Sequence, residues 1–91
     1  MFSNAGVTVS YYSMQGCPHC VRFNPEWEKF ENEVKSDKSV KTAKYDARKD
    51  EAKVREAGVE GFPTVTITRN GKTDTYEGPR TVKGLLEAIR I

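Results

Sequence analysis

Both cysteines of this chain, Cys17 and Cys20, lie in the stretch "GCPHCVRFNPEW" (Gly16–Trp27), separated by Pro18 and His19. Sulfurs at that spacing suit three roles: a redox pair, half of a metal site, or two buried thiols without chemistry. A helix that opens at the first cysteine makes the two unequal. Positions i and i+3 share a face, close enough for a disulfide. Cys17 at the tip meets unpaired backbone N–H groups and the positive end of the helix dipole, both of which favour thiolate over thiol. Cys20 falls on the apolar stripe, so its thiol is expected to be shielded, with a raised pKa. An exposed low-pKa attacker followed by a shielded resolving thiol is what disulfide exchange needs. A structural zinc takes four ligands, whereas two cysteines and His19 supply three. A zinc or iron–sulfur site would therefore take a dimer bridged by two such loops, and no metal or bound cofactor is expected. His19 has two readings of its own. It is a solvent-facing residue at a helix start, or its ring stabilises the Cys17 thiolate and makes the disulfide more oxidising.

The elements that must hold this pair follow from the flanking pattern. "VTVSYY" (Val7–Tyr12) is β-branched and aromatic and reads as a strand. Cys17 then serves as N-cap and Pro18 as first helical residue, where a fixed φ is an advantage. Cys20, Phe23, Trp27, Phe30 and Val34 recur at spacings of 3 and 4, one apolar face of a helix ending near Lys35. Pro25 is expected to kink it, and Arg22–Glu26 and Glu31–Lys35 are candidate i, i+4 ion pairs. A second strand is expected over Val40–Asp46 and a short helix over Asp50–Ala57, stopped by Gly58. Pro63–Arg69 reads as a strand, Asn70-Gly71 as a hairpin turn and "KTDTYE" as the returning strand. Thr81–Ile89 closes the chain as a helix with Val82, Leu85, Leu86 and Ile89 inward. The order β-α-β-α-β-β-α predicts an α/β fold, a four-stranded mixed sheet with helices on both faces.

Length and composition set the bounds. Ninety-one residues form one domain, with residues 1–5 a loose N-terminus. The chain is 36% hydrophobic and 31% charged, a balance that fits a globular chain rather than a disordered one. A net charge of +2 with signs intermixed leaves no footprint for nucleic acid or a membrane surface. The first ten residues lack the basic and apolar regions of a signal peptide. Read at face value this predicts a cytoplasmic protein, while a trimmed secreted protein would look the same, which keeps a secretory compartment open.

Four separated stretches carry a family likeness: "CPHC", Pro25 five residues beyond it, "GVEGFPT" (Gly58–Thr64), and "NGKTDTYEGPR" (Asn70–Arg80) before the last helix. On these the chain resembles the thioredoxin superfamily, and within it the protein disulfide isomerase-like domains. The resemblance implies a thioredoxin-like fold and an enzyme, a thiol–disulfide oxidoreductase with a redox-active Cys17–Cys20 disulfide, assisted by Pro18 and His19. It implies a cis Pro63 beside the cysteines, and a substrate surface of Gly16, Gly61, Phe62 and Pro63 where the Phe62 backbone pairs with an extended segment. Protein thiols and disulfides would be the substrates. A reductase, an oxidase or glutathione would regenerate the pair, and the protein would act as a monomer. Tyr76, Gly78 and Arg80 match a Y-x-G-x-R pattern read as structural.

There are departures. Gly16 replaces the tryptophan usual before the first cysteine. The buried acid that assists the resolving cysteine in the family falls at Ser10 or Tyr11, leaving Lys44, its usual partner, near Cys20 or turned to solvent. The first strand and helix of full thioredoxins have no counterpart. "EGPRTV" replaces the Gly-Gly-Asp with which glutaredoxins hold glutathione. His19 favours an oxidant or isomerase and the missing signal peptide a reductant; the motifs after the cysteines fit the isomerase side. Two alternatives stay open, a glutaredoxin-like glutathione-dependent reductase and a non-catalytic thioredoxin-fold binding module. Chains of this kind occur in cells and in large DNA viruses.

Overall fold

A strand with partners on both sides organises the molecule. In the computed structural model, which describes residues 6–90, β1 (Val7–Ser13) lies between β2 (Val40–Asp46) and β3 (Thr64–Arg69). The loose N-terminus expected over residues 1–5 lies outside the described residues. β1 runs parallel to β2 through the crossover helix α1 (Pro18–Val34) and antiparallel to β3, which pairs with β4 (Lys72–Tyr76). α2 (Glu51–Glu56) and α3 (Val82–Ile89) complete the expected α/β arrangement of a four-stranded mixed sheet with three helices. The β3–β4 turn is made by Asn70 and Gly71, both at positive φ (52° and 77°), as a tight hairpin requires.

The period-2 alternation of β1 decides where the core sits. Val7, Val9 and Tyr11 face one way, joined by Val65 of β3, and meet Phe23, Trp27, Phe30 and Val34 of α1 and Leu85 of α3. The Tyr11 and Phe23 rings meet edge to face with centroids 4.8 Å apart, and Trp27 lies 5.3 Å from Tyr11 and 5.5 Å from Phe30. Such pairs add to the area burial that dominates core stability. α2 packs beside β2, its buried Val54 standing apart from this cluster. The four α3 residues expected to face inward divide: Leu85 is fully buried, while Val82, Leu86 and Ile89 are half-buried. A helix of eight residues makes about two turns, so Leu85 near its middle is sealed off while Leu86 and Ile89 pack against the core from its edge.

α1 continues through Pro25, and the ion pairs expected on it need correction. Pro25 is on the exposed face, where the carbonyl left without its donor can be hydrated. Neither Arg22–Glu26 nor Glu31–Lys35 forms. Glu26 instead accepts the Val82 backbone N–H at 3.0 Å, satisfying an unpaired donor of α3's first turn, and its other oxygen is 3.9 Å from Lys29. Glu31 accepts the Thr42 hydroxyl at 3.5 Å. An exposed i, i+4 pair contributes only about 0.2–0.5 kcal/mol, less than the roughly 1–3 kcal/mol cost of a buried, unmatched donor.

Ahead of α3 the chain packs tightly. The Tyr76 hydroxyl donates to the Pro79 carbonyl at 2.5 Å, and Gly78 lies against the tyrosine ring. A Cβ on Gly84 would sit 2.5 Å from Tyr76 Oη and 2.7 Å from the Pro79 carbonyl oxygen. Helix propensity favours Ala over Gly by about 1 kcal/mol, but a backbone carbonyl cannot swing aside as a side chain can. Gly84→Ala is therefore expected to destabilise the fold by about 1–3 kcal/mol in urea unfolding. An equally or more stable variant would show that residues 79–84 give way freely.

Candidate active site

The loop between β1 and α1 explains how a cysteine becomes a helix cap. Gly16 takes φ +85°, a conformation suited to glycine, and the Cys17 N–H donates to the Met14 carbonyl at 3.2 Å, closing the turn. Cys17 then occupies the N-cap position in extended conformation (φ −82°, ψ 115°), with Pro18 opening the helix. Its sulfur accepts the backbone N–H of Cys20 at 3.3 Å, the role a serine or aspartate oxygen plays at other N-caps.

The second wall comes from a distant segment. The Phe62–Pro63 peptide is cis, as the resemblance implied, and Pro63 is buried. The Cys17 thiol donates to the Phe62 carbonyl at 3.6 Å. This contact corrects one expectation: Cys17 is only 7% exposed, not open, because residues before β3 cover it. Cys20 is 2% exposed, as the stripe predicted, and both thiols are free.

The pair is electrically asymmetric. A hydrogen bond from the Cys20 thiol, foremost, holds Cys17 below the ordinary thiol range. The N–H groups of Cys20 and His19 and the positive charge of Arg80 add to it, against the opposing effect of burial. Burial pushes the Cys20 thiol up, reinforced by its bond to Cys17. The arrangement can hold a thiolate on Cys17 while a neutral thiol waits behind it.

Of the candidate residues, Cys17, Cys20, Phe62 and Pro63 come together. Gly16 and Gly61 are exposed at the rim, and a Cβ at either would meet nothing within 4 Å, so the face normally carrying an aromatic is open. Pro18 and His19 face solvent. The His19 ring accepts from Arg22 at 3.5 Å, and it is the backbone N–H of His19 that serves the Cys17 sulfur. Lys44 is exposed, yet its ammonium lies 5.5 Å from the centre of the Tyr11 ring. With Cys20, Asn24 and Asp46 it helps line a cavity of about 460 Å³. The sequence reading missed Asn24, the Tyr11 hydroxyl that bonds it, and the influence of Arg80. The Y-x-G-x-R pattern was the available pointer to Arg80.

Comparison with known proteins shows the family. The Thioredoxin family model matches residues 2–91. The chain belongs to the thioredoxin family. A probable protein disulfide-isomerase A4 of Caenorhabditis elegans is 37% identical over 86 residues, 93% of this chain and 14% of the relative. A probable protein disulfide-isomerase A6 of Medicago sativa is 36% identical over 92% of this chain and 23% of its own length. This thioredoxin-family chain thus spans less than a quarter of these relatives. The first thioredoxin domain of mouse protein disulfide-isomerase A4 superposes with a TM-score of 0.79 at 28% identity, covering 91% of this chain and 60% of that one. The J-Trx1 fragment of ERdj5 gives 0.80 at 26%, covering 92% and 41%.

The asymmetry is measurable. Only thiolate reacts with iodoacetamide. Alkylation of Cys17 should therefore persist as pH falls through the ordinary thiol range near about 8.5 and decline only at the depressed pKa. Cys20→Ala, which removes the foremost hydrogen bond, should move that midpoint up. A Cys17 midpoint at or above the ordinary value would contradict the geometry.

Proposed function

We propose that the chain exchanges disulfides with protein substrates through Cys17 and Cys20, as an enzyme on the isomerase-like side of its family. The observation that carries this reading is the Cys17 sulfur itself, which accepts an N–H from the helix start at 3.3 Å while lying 3.6 Å from the Phe62 carbonyl. Activation and a backbone edge for an extended segment converge on one atom. Relatives named protein disulfide-isomerase support the family-level chemistry.

In this reading Cys17 thiolate attacks a substrate disulfide and forms a mixed disulfide, expelling the second substrate sulfur as a thiolate. Cys20 then attacks Cys17, releases the reduced substrate and leaves the Cys17–Cys20 disulfide. Run backwards, the same steps oxidise a dithiol. Gly16, Gly61, Phe62 and Pro63 form the docking surface, where the exposed glycines let a substrate backbone approach. Pro18 starts the helix, and His19 supplies its N–H and, when protonated, a charge near the thiolate. The chain acts as one domain and as a monomer, with a reductase, an oxidase or glutathione restoring the pair. A cytosolic reductant draws no support from the relatives, whose names are those of isomerases.

Equilibration in glutathione buffers, read by mass after acid trapping, tests the proposal. The pair is expected to cycle between dithiol and Cys17–Cys20 disulfide, and refolding of a scrambled disulfide protein should require it. Cys17→Ser should abolish activity, and Cys20→Ser should accumulate the mixed disulfide. Turnover of a glutathione mixed disulfide undiminished in Cys20→Ser would assign the glutaredoxin-like reaction instead. His19→Gly keeps the backbone N–H and removes only the ring, so a rise in the Cys17 pKa, with the equilibrium shifted toward the disulfide, would report the ring's charge alone, tenfold corresponding to about 30 mV. An unmoved titration would leave His19 a solvent-facing residue.

A further inference from the structure

The exchange reaction leaves one buried titratable group without a task. Tyr11 is 0% exposed at the middle of the core, yet its hydroxyl is drawn to the redox end of the molecule. It donates to Asn24 Oδ1 at 2.7 Å and lies 3.3 Å from the backbone carbonyl oxygen of Cys20, the residue that carries the resolving sulfur. One O–H proton cannot serve both acceptors fully. Asn24 is half-buried on the wall of the 460 Å³ cavity that also touches Cys20, so water can reach this end of the hydroxyl.

We propose that the Tyr11 hydroxyl turns from Asn24 to the Cys20 sulfur as that sulfur becomes a thiolate, and so sets the rate of the resolving step. The inference rests on the disulfide-exchange reading of the pair. In the mixed disulfide, the Cys20 thiol gives its proton to water in the cavity. The sulfur's electron pair then forms the bond to Cys17, and the bond between Cys17 and the substrate sulfur breaks. The departing thiolate takes up a proton from water, so protons and electrons balance. Tyr11 keeps its own proton throughout, since burial first, and the neighbouring cysteines next, hold its hydroxyl well above the usual tyrosine range. It therefore acts as a donor that follows the charge and not as a base. The ionisable or charged groups around Cys20 and Tyr11 are Cys17 at the N-cap of α1, Tyr11 of β1, Lys44 and Asp46 of β2, Lys49 and Asp50 beyond it, and Arg80 ahead of α3. Two aspartates stand against the two lysines and Arg80 adds a positive field, so Tyr11 is the neutral donor of this set.

The test uses the reduced full chain and 5,5′-dithiobis(2-nitrobenzoate), which releases one coloured thiolate when Cys17 attacks and a second when Cys20 closes the disulfide. Tyr11→Phe keeps the ring and removes the donor. The first release is expected to change less than about twofold, while the second slows about tenfold, the order set by one hydrogen bond to a charged group. The pH midpoint of the second release should move up. Asn24→Ala frees the hydroxyl for the sulfur, so its second release should be faster, with the midpoint moved down. Equal slowing of both phases in Tyr11→Phe, or parental rates in both, overturns the inference. So does a second phase in Asn24→Ala that is slower or unchanged, and this variant decides alone if Tyr11→Phe fails to fold. A parent chain that never releases the second thiolate overturns the exchange reading itself, visible before any variant is made.

Discussion

The site depends on a sulfur doing the work of a helix cap. α1 begins with N–H groups that have no carbonyl to meet, and Cys17 Sγ accepts one of them at 3.3 Å. A neutral thiol is a weak acceptor and a thiolate a strong one, so capping demand and nucleophilicity favour the same protonation state. Proline at the next position adds to this by opening the helix without contributing another N–H. Helix start and reactive sulfur are thus one construction, and moving the cysteine by a single residue would separate them.

That cap is held in place by the core. Phe23, Trp27 and Phe30 lie on the same stripe as Cys20, so the packing that fixes the rotation of α1 also fixes the second sulfur beneath the first. Tyr11 ties β1 into this stack through Phe23 and Trp27 and then reaches Cys20 and Asn24 with its hydroxyl. The core tolerates some polar cost for this arrangement. Trp27 Nε1 is buried with no partner among the described residues, a loss that ring burial more than offsets.

Legibility in the sequence divides by distance along the chain. The spacing of Cys20, Phe23, Trp27, Phe30 and Val34 located α1 to within a residue, because periodicity is a local signal; Val40–Asp46 formed with the expected ends although its alternation is weak. Capping by Cys17 and Pro18 was equally local. The features that escaped join remote positions. Phe62 covers Cys17 across 45 residues, and Glu26 meets Val82 across 56. Alternation placed Tyr11 in a strand, but nothing in a strand pattern tells where a hydroxyl at the end of a buried ring will point. Family likeness bridged part of that gap by joining "CPHC" to Pro63 and by placing the family's buried acid at Ser10 or Tyr11, but it could not say what a tyrosine hydroxyl does where a carboxylate is usual.

The same contacts bear on the direction of exchange. The hydrogen bond from the Cys20 thiol to Cys17, and the thiolate it favours, exist only while the pair is reduced. A disulfide has no negative sulfur to receive the N–H groups of Cys20 and His19 or the field of Arg80. Each of these contacts therefore stabilises the dithiol relative to the disulfide, and stabilising the reduced form makes the oxidised form a stronger oxidant. The sign depends on pH. The contribution of Cys17 is present above its depressed pKa and fades as pH falls through it, when the thiolate is lost. Cys20 stays a neutral donor until pH rises through its raised pKa, after which two thiolates would repel one another. Between those limits the reduced site is held best, which is the local condition that the proposed isomerase-like exchange would need.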